Sequence, residues 1–357
     1  MRFQVYVKIV ASILTTGLLL ATCGTAAAAA TAPDSIDGSG GALSAYELGH
    51  GLPLGNSGFT VGGYSSLQGQ NVQNSNSRAS LSHLSMFVWW ENESRLKFFS
   101  EIDSKDLLSA DEQSEADNHR YLSIERLYFE YSFSDALTLR AGKYLTPIGH
   151  WNQLHADPLV WTTSRPLITT QLFPDNATGA MALGNIRIFG RQADYTLYTS
   201  VGTDIRPDPA QAPFNDITGA RLNVHASENM QIGISYAGFD QRTAIEEEDQ
   251  LLGLDFLWSD HGYELSGEGA YRKSSAGPQR SAKGGFIQGV MPLYNKLFAV
   301  ARVESINNPD MQGTTRLWVM GLNYRQNRAI SFKLEFIHGF HQSISAAGFL
   351  SSISVLF

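Results

Sequence analysis

The feature that most constrains the fold is a series of sixteen segments in which apolar side chains tend to occupy every second position. Alternate residues of a β-strand share one face, so this period of two predicts strands with one apolar and one polar face. The segments are 57–67, 80–90, 95–103, 121–133, 137–144, 178–184, 191–200, 217–225, 230–239, 249–258, 263–272, 282–291, 296–305, 315–325, 329–340 and 348–357. A closed single-chain bacterial barrel requires an even number of antiparallel strands, which sixteen satisfies. The predicted number is accurate to two strands, because segments 178–184 and 282–291 have the poorest patterns.

The connections between these segments alternate in length. Seven of them are short, namely 91–94, 134–136, 185–190, 226–229, 259–262, 292–295 and 326–328. The intervening connections are longer, up to the stretch 145–177. Short periplasmic turns that alternate with long extracellular loops are typical of outer-membrane barrels and place both termini in the periplasm. A soluble sandwich that binds a ligand at one end is the alternative source of such an asymmetry.

The two faces of the strands predict lipid outside and water inside. One parity carries apolar runs, such as Leu252, Leu254, Phe256 and Trp258. The opposite parity carries the pore-lining candidates, which are Lys97, Glu101, Arg126, Glu130, Arg140, Arg221, Asp255, Glu264, Glu268, Arg272, Arg302, Glu304, Lys333 and Glu335. Unpaired charges at these positions would each cost several kcal/mol in a dry core, so the sequence predicts a wet interior.

The number of strands and the placement of aromatic residues favour a membrane channel. Aromatic side chains of the apolar parity gather near both strand ends, as membrane interfaces select, and about 16 strands enclose an aqueous lumen. The sequence therefore predicts an all-β transmembrane antiparallel barrel for passive or selective diffusion of small hydrophilic solutes or ions. The alternatives are a structural or adhesive barrel and a barrel enzyme. The sequence contains no Gly-x-Ser-x-Gly elbow, and no catalytic residue is predicted.

The N-terminal region has the composition of an exported chain. Residues 1–28 are predicted to be a signal peptide because Arg2 and Lys8 precede an apolar run that ends in small residues, and a lipoprotein signal using Cys23 is the alternative. The Gly- and Ser-rich stretch 29–56 is predicted to be a flexible periplasmic leader, and 57–357 the barrel. Without Arg2 and Lys8, 24 basic residues face 34 acidic ones, and this net charge of −10 argues against nucleic acid as a partner.

Two segments carry a resemblance to a known family. The stretch 141–152, AGKYLTPIGHWN, resembles the Gly-Lys-aromatic-x-x-Pro-x-Gly segment of bacterial outer-membrane porins, especially those related to phosphate-selective porins. The last strand, which places Phe349, Ile353, Val355 and Phe357 on one parity, is similar to the closing strand of such barrels. The resemblance implies a homotrimer, contacts with outer-membrane lipid and lipopolysaccharide, and recognition of the C-terminal strand by the barrel-assembly machinery. The lumen candidates comprise seven basic and seven acidic residues, which departs from an anion-selective pattern.

The 33-residue connection 145–177 is the predicted constriction of the channel. It is longer than a hairpin needs, and loops of this length are usually functional. The constriction candidates in and beside it are Lys143, Pro147, Gly149, His150, Trp151, His155 and Arg165. The spacing of His150 and His155 is not a metal signature, and neither a metal nor a cofactor is predicted. The alternative is that this loop lies outside the lumen, over the rim or against a neighbouring subunit.

Overall fold

The computed structural model describes residues 46–73, 75–111, 121–154, 156–201, 204–209, 211–241, 248–309, 313–340 and 347–357. The strands are β1 Leu52–Pro53, β2 Phe59–Val72, β3 Arg78–Glu91, β4 Leu96–Asp111, β5 Tyr121–Ser134, β6 Leu137–Leu145, β7 Asn176–Ile188, β8 Arg191–Ser200, β9 Phe214–Ser227, β10 Met230–Gln241, β11 Glu248–Asp260, β12 Tyr263–Ser274, β13 Ala282–Tyr294, β14 Leu297–Asn308, β15 Gly313–Arg325, β16 Ile330–Phe340 and β17 Gly348–Leu356. Among the described residues, Leu167–Gln171 form a short α-helix, α1. Within the described ranges, no helix is long and apolar enough to cross a membrane.

Strands β2 to β17 form one closed antiparallel barrel. Each strand pairs with the next along the chain, and β17 returns to pair with β2. The closure extends to the last residue, because Phe357 and Gly63 exchange two backbone hydrogen bonds of 2.8 Å. All sixteen predicted segments coincide with a strand of this barrel, so the predicted fold class and the predicted strand count are confirmed.

Part of the stretch that the sequence predicts to be a flexible leader forms a short strand. Leu52 and Pro53 form β1 and pair with Val61 and Thr60 of β2. This pairing falls inside the predicted leader 29–56, and it extends the sheet locally without adding a strand to the closed barrel. The predicted signal peptide lies outside the described residues.

The strands are joined at one end by tight turns. The β7–β8 turn contains Phe189 and Gly190 with φ of 50° and 77°, and the β11–β12 turn contains His261 and Gly262 with φ of 47° and 86°. Positive φ at both central residues defines the type I′ turn, whose twist matches that of the flanking strands. These turns fix the register of each hairpin, and hence which side chains face inward.

The inward and outward faces follow the predicted parity. Outward side chains such as Phe129, Leu254 and Met320 are more than half exposed on the isolated chain. A row of exposed apolar side chains around a closed barrel is the surface that a lipid bilayer covers. The inward side chains include most of the charged residues of the strands, and they surround the connection between β6 and β7.

Candidate functional site: the barrel interior

The connection between β6 and β7 is termed the inward loop, and its described residues, 146–154 and 156–175, lie inside the barrel. Its two ends are joined, because Thr146 N–H donates to the Asp175 carbonyl at 2.8 Å and the Thr146 hydroxyl donates to the Pro174 carbonyl at 3.0 Å. The short strand β6 ends at Leu145, so the chain leaves the wall below the rim and turns inward. The loop thus starts and finishes beside the same edge of the wall.

One side of the inward loop is apolar and packs on apolar inward side chains. Trp151, Leu167, Leu172 and Phe173 of the loop are buried in one cluster with residues from β6–β11 and β13–β15. Trp151 meets Phe286 of β13 edge to face, with ring centroids 6.0 Å apart. Burial of such side chains is the main favourable term that holds a loop of this size in place.

Carboxylates of the wall accept hydrogen bonds from backbone N–H groups of the inward loop. Three glutamates from three strands take part: Glu268 of β12 accepts from His150 and Trp151, Glu304 of β14 accepts from Leu167, and Glu335 of β16 accepts from Thr163 and Ser164. Four of these five donor–acceptor distances lie between 2.6 and 3.0 Å. A charged acceptor strengthens such bonds, and they satisfy loop N–H groups that water no longer reaches.

Basic and amide side chains of the wall bind the loop carbonyls. Arg302 donates to the Ser164 carbonyl at 3.0 Å and to the Thr162 hydroxyl at 2.8 Å. Lys333 donates to two loop carbonyls, those of Asp157 and Thr162. Arg272, Asn308 and Asn323 bind the carbonyls of Leu172, Gln171 and Trp161. The inward loop is therefore clamped through its backbone by both signs of charge.

Gly149 is the tightest point of this clamp. It has φ of +70°, and a Cβ added there would lie 2.2 Å from Oε2 of Glu268. Its N–H donates to the Ser235 hydroxyl at 3.3 Å, and Ser235 also binds Arg221, which forms a two-pronged pair with Asp255 at 2.6 and 2.8 Å. Only glycine combines this backbone conformation with the close approach of Glu268.

The wall formed by β2–β6 uses its charges differently. Arg126 pairs with Glu101 at 2.6 Å, and Arg140 pairs with Glu130 at 2.7 Å. Both guanidinium groups lie over aromatic rings: Arg126 is 4.5 Å from the centroid of Phe99, and Arg140 is 4.2 Å from that of Tyr128. In these two pairs the charged residues bind each other and the rings next to them.

Burial perturbs the ionisable groups of the inward loop. Burial lowers the pKa of His150, which favours the neutral imidazole. Burial raises the pKa of the Asp175 carboxyl against the opposing effect of Arg165, 3.7 Å away. Burial also opposes ionisation of Asp157, but the charges of His83, Lys333 and Arg165 outweigh it and hold the pKa of Asp157 below its usual value.

At the level of the inward loop, every strand of the barrel has a side chain that is less than one-tenth exposed. One example from each strand, in order from β2 to β17, is Ser66, Ser85, Glu101, Ser123, Tyr144, Ala177, Tyr198, Arg221, Ser235, Asp255, Glu268, Gln288, Arg302, Asn323, Lys333 and Ser352. The charge pattern predicted a wet, open interior, whereas these inward side chains are buried. The cost of burying those charges is offset because each has a counter-charge or loop backbone groups as partners.

The predicted pore-lining residues divide into two groups. Nine are buried beneath the inward loop or in the layer beside it: Glu101, Arg221, Asp255, Glu268, Arg272, Arg302, Glu304, Lys333 and Glu335. The other five keep partial exposure: Lys97, Arg126, Glu130, Arg140 and Glu264. Ser235, Asn308, Asn323 and Arg325 also contact the loop and were missed because uncharged or strand-end residues carry no distinctive signal.

The predicted constriction residues occupy different environments. Pro147, Gly149 and Trp151 are buried in the inward loop, where His150 and Arg165 are partly buried. Lys143 does not join them. Lys143 pairs with Leu127 of β5 and lies on the same, outward, face of the wall. Its ammonium group is covered by the β8–β9 connection, where it lies 2.9 Å from Asp204. His155 lies outside the described residues, and among the described ones no cluster of three metal-ligating side chains occurs.

Comparisons with known proteins bear on the fold. The sequence matches no protein-family model. An uncharacterised protein of Aquifex aeolicus is 29% identical over 119 residues, which is 33% of this chain and only 26% of that protein. The chain therefore aligns with about a quarter of the length of this relative, and its sequence alone gives no function.

Solved structures match far more of the chain. OmpF of Salmonella typhi in complex with daunomycin gives a TM-score of 0.61 at 9% identity, with 85% of this chain and 99% of that chain covered. An anion-selective porin of Comamonas acidovorans gives 0.55 at 10% identity, covering 84% and 99%. The trimer form of Vibrio cholerae OmpT, an outer-membrane protein, gives 0.55 at 8% identity, covering 84% and 99%. The closed barrel of this chain has the fold of the sixteen-stranded outer-membrane porins.

Proposed function

We propose that this chain is an outer-membrane porin that passes small hydrophilic solutes or ions by diffusion, with the inward loop setting the size of the passage. The observation that carries the proposal is the loop itself, held inside a closed sixteen-strand barrel by side chains of the surrounding wall. Sixteen strands enclose more space than wall side chains alone fill. The segment inside the barrel therefore decides what passes.

The charges of the interior support weak ion selectivity. The fourteen lumen candidates are balanced, seven basic and seven acidic. Pairs such as Arg221 with Asp255 and Arg126 with Glu101 neutralise one another over less than 3 Å. A pore lined by paired charges presents little net field to a passing ion.

Planar-bilayer recording of the purified barrel tests this proposal. We expect discrete conductance steps that are small for a sixteen-strand barrel, because the loop fills the middle of the interior. In a potassium chloride gradient, the reversal potential should lie close to zero. A folded barrel that inserts and gives no steps would contradict the proposal, and a strong selectivity for one ion sign would contradict the account of the paired charges.

A structural barrel without an open path is the second candidate. The binding of the inward loop by Glu268, Arg302 and Lys333 favours it, since a loop held by the wall in this way narrows the interior. The two candidates differ in one observable. A porin conducts with its inward loop in place, whereas a structural barrel stays silent until that loop is removed.

The cellular context completes the proposal. The apolar outward face supports insertion into the outer membrane and contact with lipid and lipopolysaccharide, and the paired C-terminal strand supports recognition by the barrel-assembly machinery. We propose export by a cleaved signal peptide, periplasmic termini and a homotrimer. Native gel migration with chemical crosslinking tests the trimer, since a monomeric band at all protein concentrations would contradict it.

A further inference from the structure

A small polar cavity lies at the end of the barrel where the longer connections emerge. Its volume is about 240 Å³, and it is bounded by inward residues of the five neighbouring strands β17, β2, β3, β4 and β5. Among its lining residues are Gln68, Gln70, Ser80, Ser82, Lys105 and Tyr121. A cavity of about 150 Å³ holds one benzene molecule, so this volume corresponds to one small solute rather than to a chain of any length.

The charged groups around this cavity already have partners. The Lys105 ammonium lies 3.0 Å from Glu125 and 2.7 Å from Asp208. His83 lies 2.7 Å from Asp103, and Arg78 lies 3.2 Å from Asp106. Three cations are therefore matched by four carboxylates, and the cavity offers no excess positive charge for capturing an anion.

The uncharged groups of the cavity have unused hydrogen-bonding capacity. The side chains of Gln68, Gln70 and Ser80 are partly exposed and form no hydrogen bond with any described residue. An amide side chain offers two donors and a carbonyl oxygen, and a hydroxyl offers one donor and two lone pairs. Tyr121 and Leu350 add apolar surface beside them.

This combination fits one chemical class. Neutral solutes rich in hydroxyl groups carry donors and acceptors on every carbon, together with C–H surface that packs on apolar side chains. A carboxylate or phosphate would find the cations beside it already neutralised, and burying its charge there would be costly. A neutral solute meets no such cost and gains the amide and hydroxyl contacts.

We propose that this cavity binds one small, neutral, hydroxyl-rich solute, of the size of a monosaccharide or a sugar alcohol, before it reaches the inward loop. Its role as the entry site of a pathway rests on the porin function proposed above. Binding to the cavity does not rest on that function, and binding and conductance are measured separately.

Saturation-transfer NMR on the full-length protein in detergent micelles tests the site, with D-glucose and sorbitol as probes and sodium phosphate as the charged comparison. We expect transfer to both neutral probes, competition between them, and no loss of the glucose signal when phosphate is added. The double variant Gln68→Ala with Gln70→Ala should weaken the affinity about tenfold or more, as expected for the loss of two side-chain hydrogen-bonding groups. The control Gln250→Ala removes an exposed glutamine of β11 that does not line this cavity and should bind as the wild type does.

Three results would overturn the site. They are the absence of transfer to either neutral probe in the wild type, equal transfer in the double variant and the control, and displacement of glucose by phosphate. If the double variant does not fold, Gln68→Asn takes its place, because it keeps the amide and shortens its reach, and should still weaken glucose binding. Glucose binding without any bilayer conductance would leave the site standing and reject the porin function.

Discussion

The two walls of the interior use the same residue types in opposite ways. On the loop-bound wall, β10–β17, carboxylates such as Glu268 and cations such as Arg302 and Lys333 bind the backbone of the inward loop. On the paired wall, β2–β6, Glu101 and Glu130 bind Arg126 and Arg140. The difference shows that a charged inward residue is not by itself a sign of water beside it. What decides its environment is whether a chain segment lies within reach of it.

Replacing the inward loop should have the largest effect on this comparison. Exchange of Gly149 to Asp175 for a short Gly/Ser linker removes the segment that the loop-bound wall holds, while the strands keep their own hydrogen bonds. We expect a several-fold rise in single-channel conductance and weaker discrimination between solutes. Heat-modifiable gel migration checks that the barrel is folded, and a folded variant with unchanged conductance would refute the constriction.

A single methyl group at Gly149 should have the next largest effect. Gly149→Ala adds the strain of a positive φ, about 1–2 kcal/mol, and its Cβ collides with Glu268, whose charge-assisted hydrogen bonds contribute about 1.5–3 kcal/mol each. Gly190→Ala is the matched control, because Gly190 has φ of +77° and nothing within 4 Å of an added Cβ. We expect higher conductance and a lower unfolding temperature in the Gly149 variant. In the control we expect unchanged conductance and only the smaller fall in unfolding temperature that backbone strain causes. Equal changes in both would show that the clamp at Gly149 is not formed.

Neutralising one carboxylate on each wall should have the smallest effect, and it compares the two walls directly. Glu268→Gln keeps the shape but replaces charge-assisted bonds to His150 and Trp151 by neutral ones, which should cost about 1 kcal/mol and increase the open-channel noise as the loop moves. Glu130→Gln instead frees Arg140 from its partner, and it should shift the reversal potential toward anion selectivity with little change in noise. If both variants changed the same quantity, the two walls would not differ in function.

The strands could be predicted from sequence because their cause is local. An outward Leu254 and an inward Asp255 alternate under one geometric rule, and sixteen repetitions of this rule with alternating connection lengths favour a membrane barrel. The exposed apolar face and the closing pair of Phe357 with Gly63 follow from the same rule.

The interior could be predicted only in part, for a physical reason. The charges on the inward parity were identified, but their environment was not, because the burial argument compares an unpaired charge with water. Here the partners of Glu268 and Glu335 are backbone N–H groups, which every residue possesses and no sequence pattern marks. The length of the loop indicated a functional segment, whereas its path across the barrel depends on contacts between residues more than 100 positions apart.

Disulfide trapping tests the central claim, that the described residues of the inward loop lie inside the barrel against the loop-bound wall. The hydroxyls of Thr163 and Ser352 are 2.9 Å apart, and the sequence contains one native cysteine, Cys23, within the predicted signal peptide. The account predicts that Thr163→Cys with Ser352→Cys forms an intramolecular disulfide in the folded barrel. Thr163→Cys with Ser235→Cys, seven strands away on β10, should not form one. Two free thiols in the first pair, both labelled by a membrane-impermeant reagent, would contradict the account.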